Sequence, residues 1–255
     1  MKKILLIGEI CIDEYIYGYC DRVCPEASAL CFLDSGIIKE NFGMSGNVYN
    51  NLKAIDPTLN INHIKPEIKI IKRRFIDTKY NTIIFRQDIN DKCNRIDINK
   101  YDFSIYDYII ISDYCKGFLT EEDIKYIANH KKHNSTIFID TKKKLVSQML
   151  EGIDFIKINN KEYQDNIYDI DTIRKKSSII VTNGEHGATL YEKSSTTIEH
   201  FPTDIVFLRD VCGAGDTFLA SLVVKYIETS NIKESIRFAN VCSAKVVSKF
   251  GVTTI

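Results

Sequence analysis

Runs of apolar residues recur along the chain, and polar or small residues follow most of them directly. Runs of about four to eight residues rich in isoleucine, valine and phenylalanine are typical of strands buried in a parallel sheet. They predict five such strands, at 4–7, 108–111, 136–139, 155–158 and 178–182. Apolar residues at helical spacing predict helices at 121–130, 218–227 and 234–248, the first capped by Thr120. The alternation of strand and helix predicts an α/β fold, with a mostly parallel central sheet and helices on both faces.

A second, smaller β layer is predicted by weaker patterns. Apolar and polar residues alternate at 15–17 and 29–33, and a turn at 77–81 joins strands at 69–75 and 82–86. The length of 255 residues suits one large domain with a small appendage. We therefore expect a single domain over residues 1–255, with a small lid formed by about 14–40 and 70–88.

The charges of the chain balance, with 34 basic and 34 acidic residues, so no overall field attracts nucleic acid or an anionic membrane. The apolar run at the N-terminus ends at Glu9, which makes it too short for an export signal, and no stretch reaches the length of a membrane span. The eight cysteines include no Cys-x-x-Cys pair, which favours reduced thiols over disulfides or a zinc site. We expect a cytoplasmic protein with a small-molecule ligand.

The segment 210–217 carries the most specific candidate chemistry. Gly213, Ala214 and Gly215 stand directly before a strongly apolar helical run, and Asp216 lies at the junction. The first N–H groups of a helix are unpaired and lie at the positive end of its dipole, and glycine lets an anion approach them closely. Phosphate transfer needs such a cradle and a carboxylate that accepts a hydroxyl proton. The alternative is structural: a flexible turn, with Asp216 as a helix cap.

Other polar residues stand where open α/β sheets bind ligands, beyond the carboxyl ends of strands. Asp13 comes after the first strand, and Gly43 and Asn47 stand before a helical run, where the Asn47 amide offers donors and an acceptor to sugar hydroxyls. The predicted hairpin adds the cations that a ligand already carrying a phosphate would require: Lys72, Arg74 and Arg86. The structural alternatives are a loop acid in water, a capped surface helix and a solvated charged face.

The sequence Asp-Val-Cys-Gly-Ala-Gly-Asp-Thr at 210–217 resembles the Asp-x-Thr-Gly-Ala-Gly-Asp signature of the ribokinase-like (PfkB) sugar kinases. The resemblance implies a ribokinase-like three-layer α/β/α fold with ATP as the phosphate donor. It also implies that Asp216 is the catalytic base and that the amides of Gly213, Ala214 and Gly215 form the anion hole. Cys212 replaces the usual threonine of the signature, so the hydroxyl contact made there is lost or weakened.

Further segments resemble the parts of this family that hold the nucleotide. Asn159 and Glu162 match its Asn-x-x-Glu pattern, which organises Mg²⁺ and its waters and provides the oxygen ligands that magnesium prefers. The same two residues fit a capping box at a helix start, and both roles are compatible. The segments that match the turn beside the nucleotide and the adenine pocket contain Thr182, Gly184, Gly187 and Asn240. A monovalent cation is a further candidate cofactor.

One branch of the family, the D-glycero-D-manno-heptose-7-phosphate kinases, resembles the chain in more places. The segments at 13–27 and 112–117 are similar to its Asp-(Arg)-Tyr-x-x-Gly and Ser-Asp-Tyr-x-Lys-Gly regions, and 140–142 to its Asp-Pro-Lys. The resemblance implies that polar and charged residues hold a sugar phosphate: Asp13, Gly43, Asn47, Lys72, Arg74, Arg86, Asp113, Lys116 and Lys142. The chain departs from the branch at Met44, which replaces a glycine, and after Leu52, where it is shorter.

The reaction expected from the resemblance is the phosphorylation of D-glycero-D-manno-heptose 7-phosphate at O1, a step towards nucleotide-activated heptose for lipopolysaccharide or capsule. A kinase of the same family that acts on another sugar, sugar phosphate or small polyol is an alternative. A second alternative is a non-catalytic sensor of a sugar phosphate or nucleotide, although the intact segment 213–216 argues against it. The lid implies a homodimer, and the segment 250–254 resembles the closing segment of the family.

Overall fold

The computed structural model describes residues 2–67, 69–204, 210–248 and 254–255. Within these ranges the strands are β1 (Lys3–Gly8), β2 (Ile10–Val23), β3 (Leu30–Met44), β4 (Asn60–Ile64), β5 (Ile70–Asp77), β6 (Thr82–Ile89), β7 (Tyr108–Asp113), β8 (Thr136–Thr141), β9 (Phe155–Asn159), β10 (Ser178–Thr182), β11 (Ala188–Tyr191) and β12 (Ile198–Phe201). The α-helices are α1 (Ser45–Ile55), α2 (Glu121–Asn129), α3 (Asn160–Asp165), α4 (Ile170–Ile173), α5 (Ala214–Thr229) and α6 (Ile232–Val247). No helix of the described ranges is both long enough and apolar enough to cross a membrane.

The main sheet joins eight of the described strands, in the order β12-β11-β10-β9-β8-β7-β1-β4. In this sheet six adjacent strands run parallel: β10, β9, β8, β7, β1 and β4. Strand β11 is antiparallel to β10, and β12 is antiparallel to β11. The α/β fold predicted from the sequence is confirmed, and the five predicted apolar strands are β1, β7, β8, β9 and β10. Strand β4 was not predicted, because it is an edge strand in which three of the residues Asn-Ile-Asn-His-Ile are polar.

Alternate residues of the parallel strands face two separate cores. On one face Ile7 and Ile111 pack with apolar residues of α2. On the other face Leu6 and Ile110 pack with apolar residues of α1, α5 and α6. Because helices cover both faces, the apolar runs of the inner strands β1, β7, β8, β9 and β10 are buried on both sides, and this explains why their sequences are continuous rather than alternating.

A second sheet contains β3, β2, β5 and β6 in that order. Strand β2 pairs antiparallel with β3 and parallel with β5, and the hairpin of β5 and β6 completes the sheet. Strands β2 and β3 have 14 and 15 residues and are much longer than the short strands predicted at 15–17 and 29–33. Polar and charged residues interrupt the apolar alternation along both strands, so only their most regular parts are recognisable in the sequence.

Three helices begin in ways that their sequences explain. Helix α2 has the predicted cap Thr120, whose side chain accepts a hydrogen bond from the N–H of Asp123. Helix α3 begins with the capping box of Asn159 and Glu162. Helix α5 begins after Gly213, whose φ of 82° lies in the left-handed region that favours glycine. The capping roles predicted for Thr120, Asn159 and Glu162 are therefore confirmed.

The carboxyl ends of the parallel strands meet at one edge of the main sheet, where Glu9 links β1 to the second sheet. Helix α5 begins at the same edge, since its Gly215 lies beside Lys157 of β9. Further along this helix the ring of Tyr226 packs on Phe138 and Phe155. The start of α5, the ends of the strands and the second sheet therefore enclose a common region.

Candidate active site

Asp216 lies in the first turn of α5 and is almost completely buried. Its Oδ1 accepts a hydrogen bond from the hydroxyl of Tyr114 (2.7 Å), and its Oδ2 accepts one from Nδ2 of Asn47 (3.1 Å). The helix has no side-chain cap, so Asp216 does not cap it and the structural alternative for this residue is wrong. The carboxylate instead joins three distant parts of the chain at the edge of the sheet.

The environment of Asp216 suits a proton acceptor. Burial raises the pKa of its carboxyl to about 6, although the hydrogen bonds from Tyr114 and Asn47 act in the opposite direction. A carboxylate with this pKa is largely ionised at neutral pH and binds a proton more strongly than an ordinary aspartate does. The side chain of Asn47 is fixed in turn, because its Oδ1 accepts a hydrogen bond from Asn51 (3.0 Å).

The loop that carries Tyr114 is held by a buried carboxylate that the sequence analysis did not select. Glu9 is fully buried and accepts hydrogen bonds from the backbone N–H groups of Tyr114 (2.8 Å) and Lys116 (2.9 Å). Asp113 is also buried and accepts hydrogen bonds from Nζ of Lys143, the nearer at 2.8 Å. Both acids therefore shape the loop, and they act on Asp216 through the position of Tyr114.

A cavity of about 460 Å³ lies beside the start of α5. Its walls include all the residues predicted for the nucleotide turn and the adenine pocket, together with two of the residues predicted to form the anion hole: Thr182, Gly184, Gly187, Ala214, Gly215 and Asn240. Gly187 has a φ of 82°, and a Cβ there would lie 2.1 Å from the carbonyl oxygen of Phe201, so a glycine is required. The volume lies in the range of small-molecule sites, roughly 300–1,000 Å³.

Asn159 and Glu162 lie at the end of β9, next to Lys142. Glu162 accepts hydrogen bonds from the N–H of Asn159 (2.8 Å) and from Nζ of Lys142 (2.5 Å). Burial opposes the charge of Lys142, but Asp140 and Glu162 outweigh this effect and raise its pKa above the usual value. No three acidic, histidine or cysteine side chains of the described ranges come together as a metal site. Asn159 and Glu162 carry the oxygen donors that Mg²⁺ prefers, so these two residues fit a magnesium site of the kind in which the metal would keep several waters.

The residues predicted to hold the sugar lie on the second sheet and at its junction with the main sheet. Asp13 and Arg74 form a buried ion pair with 2.5 Å between Oδ1 and Nη1. A Cβ at Gly43 would lie 2.1 Å from Oδ2 of Asp13, so only glycine admits this carboxylate. The Nζ of Lys72 lies 5.4 Å from the ring centroid of Tyr114, whose hydroxyl donates to Asp216. The Nζ of Lys142 lies 5.5 Å from the same centroid.

Two further predicted cations are paired with acids of their own. Arg86 forms an ion pair with Asp88 (2.7 Å), and both side chains are substantially exposed. Lys116 forms an ion pair with Asp91 (2.6 Å). The structure thus brings Lys72 and Lys142 next to Tyr114, whereas Arg86 and Lys116 are held apart by local partners. The residues 250–253 of the predicted closing segment lie outside the described ranges.

The model of the pfkB family of carbohydrate kinases matches residues 63–255. Curated relatives named bifunctional protein HldE are similar over almost all of this chain. That of Sulfurimonas denitrificans is 28% identical, with 99% of this chain and 62% of the relative covered. That of Helicobacter pylori is 31% identical, with 98% and 64% covered. The chain therefore spans a little under two thirds of the length of these relatives.

Solved structures resemble the fold over most of the chain. Ribokinase from Thermotoga maritima has a TM-score of 0.73 at 17% identity, with 99% of this chain and 95% of that chain covered. Ribokinase from Arabidopsis thaliana, complexed with ribose and ATP, has a TM-score of 0.70 at 13% identity, with 98% and 94% covered. These similarities show the ribokinase-like fold. Together with the family match, they establish that the chain belongs to the pfkB family of carbohydrate kinases.

Proposed function

We propose that this sugar kinase transfers the γ-phosphoryl group of ATP to O1 of D-glycero-D-manno-heptose 7-phosphate, for nucleotide-heptose biosynthesis. The observation that carries the proposal is the buried Asp216, placed between the cavity beside α5 and the lysine-bearing junction with the second sheet. The choice of acceptor is supported by the motifs at 13–27, 112–117 and 140–142, which resemble those of heptose-7-phosphate kinases.

The nucleotide lies in the cavity lined by the turn 182–187 and by Asn240. The amide nitrogen of Asn240 donates to the carbonyls of Phe201 (2.9 Å) and Pro202 (3.2 Å), so this side chain also fixes the wall of the pocket. Asn159 and Glu162 stand where the phosphates meet the ends of the strands, and Mg²⁺ bound there would neutralise phosphate charge. A monovalent cation near this site remains part of the proposal, supported by the family resemblance.

The hydroxyl oxygen of the acceptor attacks the γ-phosphorus in line and its proton moves to Asp216, while the bond between the γ-phosphorus and the β–γ bridging oxygen breaks and ADP leaves. The hydroxyl of Tyr114 and the amide of Asn47 orient the carboxylate for this transfer. The N–H groups at the start of α5 point towards the charge that builds up on the transferred group. Gly213 allows the sharp turn that places them there, because its φ of 82° is strained for other residues.

The acceptor is held from the second sheet, and Lys72 is the leading candidate for its existing phosphate. Of the five cations predicted for this role, Lys72 is the one for which no ion pair is seen within the described part of the chain. Its ammonium, which lies over the ring of Tyr114, can therefore bind an anion without breaking an ion pair. Asp13 and Asn47 offer polar atoms to sugar hydroxyls, and the Asp13–Arg74 pair keeps the carboxylate in place.

ADP release from Mg-ATP, measured with a panel of acceptors, tests the proposal. The panel contains heptose 7-phosphate, mannose 6-phosphate, fructose 6-phosphate, fructose, ribose and glycerol. Strong preference for heptose 7-phosphate is the expected result. Turnover only with an acceptor that lacks phosphate would keep the kinase and contradict the acceptor assigned to it, and a sensor would bind ATP without releasing ADP with any acceptor.

We also propose a homodimer formed through the second sheet, whose apolar side chains are exposed: Leu30, Ile38, Phe42, Ile83 and Phe85. Ile83→Lys is expected to shift the protein from dimer to monomer in sedimentation velocity, because it places a charge in the apolar interface. Ile198→Lys on β12 is the matched control, since Ile83 and Ile198 are 54% and 56% exposed. A wild-type monomer, or equal effects of the two changes, would contradict the dimer.

A further inference from the structure

Lys157 interrupts the apolar strand β9 at a position where a parallel strand normally carries another apolar residue. Phe155 precedes it on the same face of the sheet, as Phe138 precedes Asp140 on the neighbouring strand, and both rings pack on Tyr226 of α5. Asp140 and Lys157 are register partners. Lys157 and Asp140 each lie two residues after the phenylalanine of their strand. They therefore project from the same face of the sheet as the two rings, towards the start of α5.

The two side chains form a buried ion pair. Nζ of Lys157 lies 2.6 Å from Oδ2 of Asp140, and the side chains are 4% and 3% exposed. A buried ion pair is a poor source of stability, because desolvation of the two charges offsets much of their attraction. A pair of apolar residues would serve the core at least as well, so the presence of charge here calls for a functional explanation.

The ammonium of Lys157 has hydrogen-bonding capacity left and is next to the anion hole. An ammonium carries three donors, and Asp140 is its one hydrogen-bond partner found among the described residues. A Cβ added at Gly215 would lie 2.9 Å from this Nζ. Gly215 therefore leaves the ammonium of Lys157 room next to the backbone of α5, whereas Gly213 is required for its left-handed backbone.

We propose that Lys157 binds the γ-phosphoryl group and supplies a fixed positive charge to the anion hole at Gly215. Asp140 positions the ammonium, and the glycine lets the ammonium and the phosphoryl oxygens approach the same stretch of backbone. The role rests on the phosphate donor alone and holds for any acceptor. A failed test of Lys157 and a failed acceptor assignment are thus separate results.

The test compares binding of the Mg²⁺ complexes of AMP-PNP and of ADP by titration calorimetry, without an acceptor. Lys157→Met is expected to raise the Kd of AMP-PNP about tenfold or more, the size of a lost charge-assisted hydrogen bond, and that of ADP by less than about threefold. Lys131→Met is the matched control, because Lys131 also pairs with an aspartate, Asp154 (2.9 Å), that precedes β9. It should change neither Kd. Equal changes for both nucleotides, or no change for AMP-PNP, would overturn the proposal.

The double variant Asp140→Asn/Lys157→Met separates binding from folding. The single change leaves the carboxylate of Asp140 buried beside methionine, which can prevent folding by itself. The double change removes both charges, so its thermal unfolding midpoint is expected to lie close to that of the wild type while AMP-PNP binding stays weak. Recovery of AMP-PNP affinity in the double variant would show that the pair serves the fold alone and would contradict the proposal.

Discussion

The start of α5 and the second sheet hold their polar residues in different ways. At α5 the carboxylate of Asp216 is buried and receives neutral hydrogen bonds from Tyr114 and Asn47. On the second sheet the charged groups neutralise one another, as in the pairs Asp13–Arg74 and Arg86–Asp88. In the described residues Asp216 has no ion-pair partner, whereas the second sheet keeps most of its charges in ion pairs.

This difference separates the reaction from the choice of acceptor. Removing a neutral hydrogen-bond donor from Asp216 alters proton transfer, because the position and the pKa of the carboxylate depend on it. Changing a cation of the second sheet alters which anion can be held, since a paired cation must leave its partner in order to bind another and Lys72, unpaired among the residues that the structure describes, need not. We therefore expect changes around Asp216 to act on kcat and changes on the second sheet to act on KM.

The largest effect is expected from Asp216→Asn, which removes the proton acceptor and keeps the shape of the side chain. Turnover should fall by roughly 10²–10⁴, the usual size of general base catalysis. Steady-state ADP release measures it, and the Kd of ADP should stay within about threefold of the wild type, because no new charge enters the cavity. Unchanged turnover in this variant would remove Asp216 from the role.

The same change is expected to stabilise the fold. The folded pKa of Asp216 is raised to about 6 from 3.8, so the unfolded chain ionises first and stability is lost as the pH rises between these values. Above pH 6 the full cost is present, about 3 kcal/mol for a shift of about two units. Urea unfolding gives the free energy of unfolding of the variant and of the wild type. The difference in favour of Asp216→Asn should be larger at pH 7.5 than at pH 4. Equal differences at the two pH values would contradict the buried charge.

On the second sheet, Lys72→Met is expected to raise KM for heptose 7-phosphate about tenfold or more, by loss of a charge-assisted contact, with little change in kcat. Arg86→Met is the comparison, because Arg86 is exposed and already paired with Asp88. Arg86→Met should change KM for heptose 7-phosphate by less than about threefold, because exposed ion pairs contribute little free energy. Initial rates over a range of acceptor concentrations give both values, and a larger effect from Arg86 would reverse the assignment.

A smaller effect is expected from pH. Since Asp216 must be ionised to accept a proton, kcat/KM should fall as the pH drops through about 6 and be about tenfold lower at pH 5 than at pH 8. A sugar phosphate also titrates near pH 6. The profile should therefore be repeated with the heptose that lacks the phosphate, and disappearance of the acid limb there would assign it to the substrate rather than to Asp216.

The fold was largely predictable because buried parallel strands have uninterrupted apolar sequences, such as those at 4–7 and 108–111. The edge strand β4 was missed because its exposed face is polar and its five residues lack a regular alternation. The full length of β2 and β3 was also not predicted. These strands are partly exposed to solvent, so charged and apolar residues alternate along them without a fixed period.

The candidate site could be predicted where the local sequence carries the candidate chemistry, as in the segment 213–216. The partners of Asp216 could not, because Tyr114 lies 102 residues away in the chain and Glu9 acts only through that tyrosine. The pairing of the cations with acids was equally hidden, since it depends on the register of neighbouring strands. One available signal was overlooked: Lys157, a charge within an apolar strand.

The most direct test of the division between the two regions is the ratio of kcat/KM for heptose 7-phosphate to that for the same heptose without its phosphate. The wild type should favour the phosphorylated sugar by about tenfold or more, since Lys72 supplies one charge-assisted contact to its phosphate. Lys72→Met should lower that ratio about tenfold and leave kcat for the sugar without phosphate unchanged. A wild-type ratio near one, or a ratio that Lys72→Met does not alter, would contradict the account of the second sheet as the region that selects the acceptor.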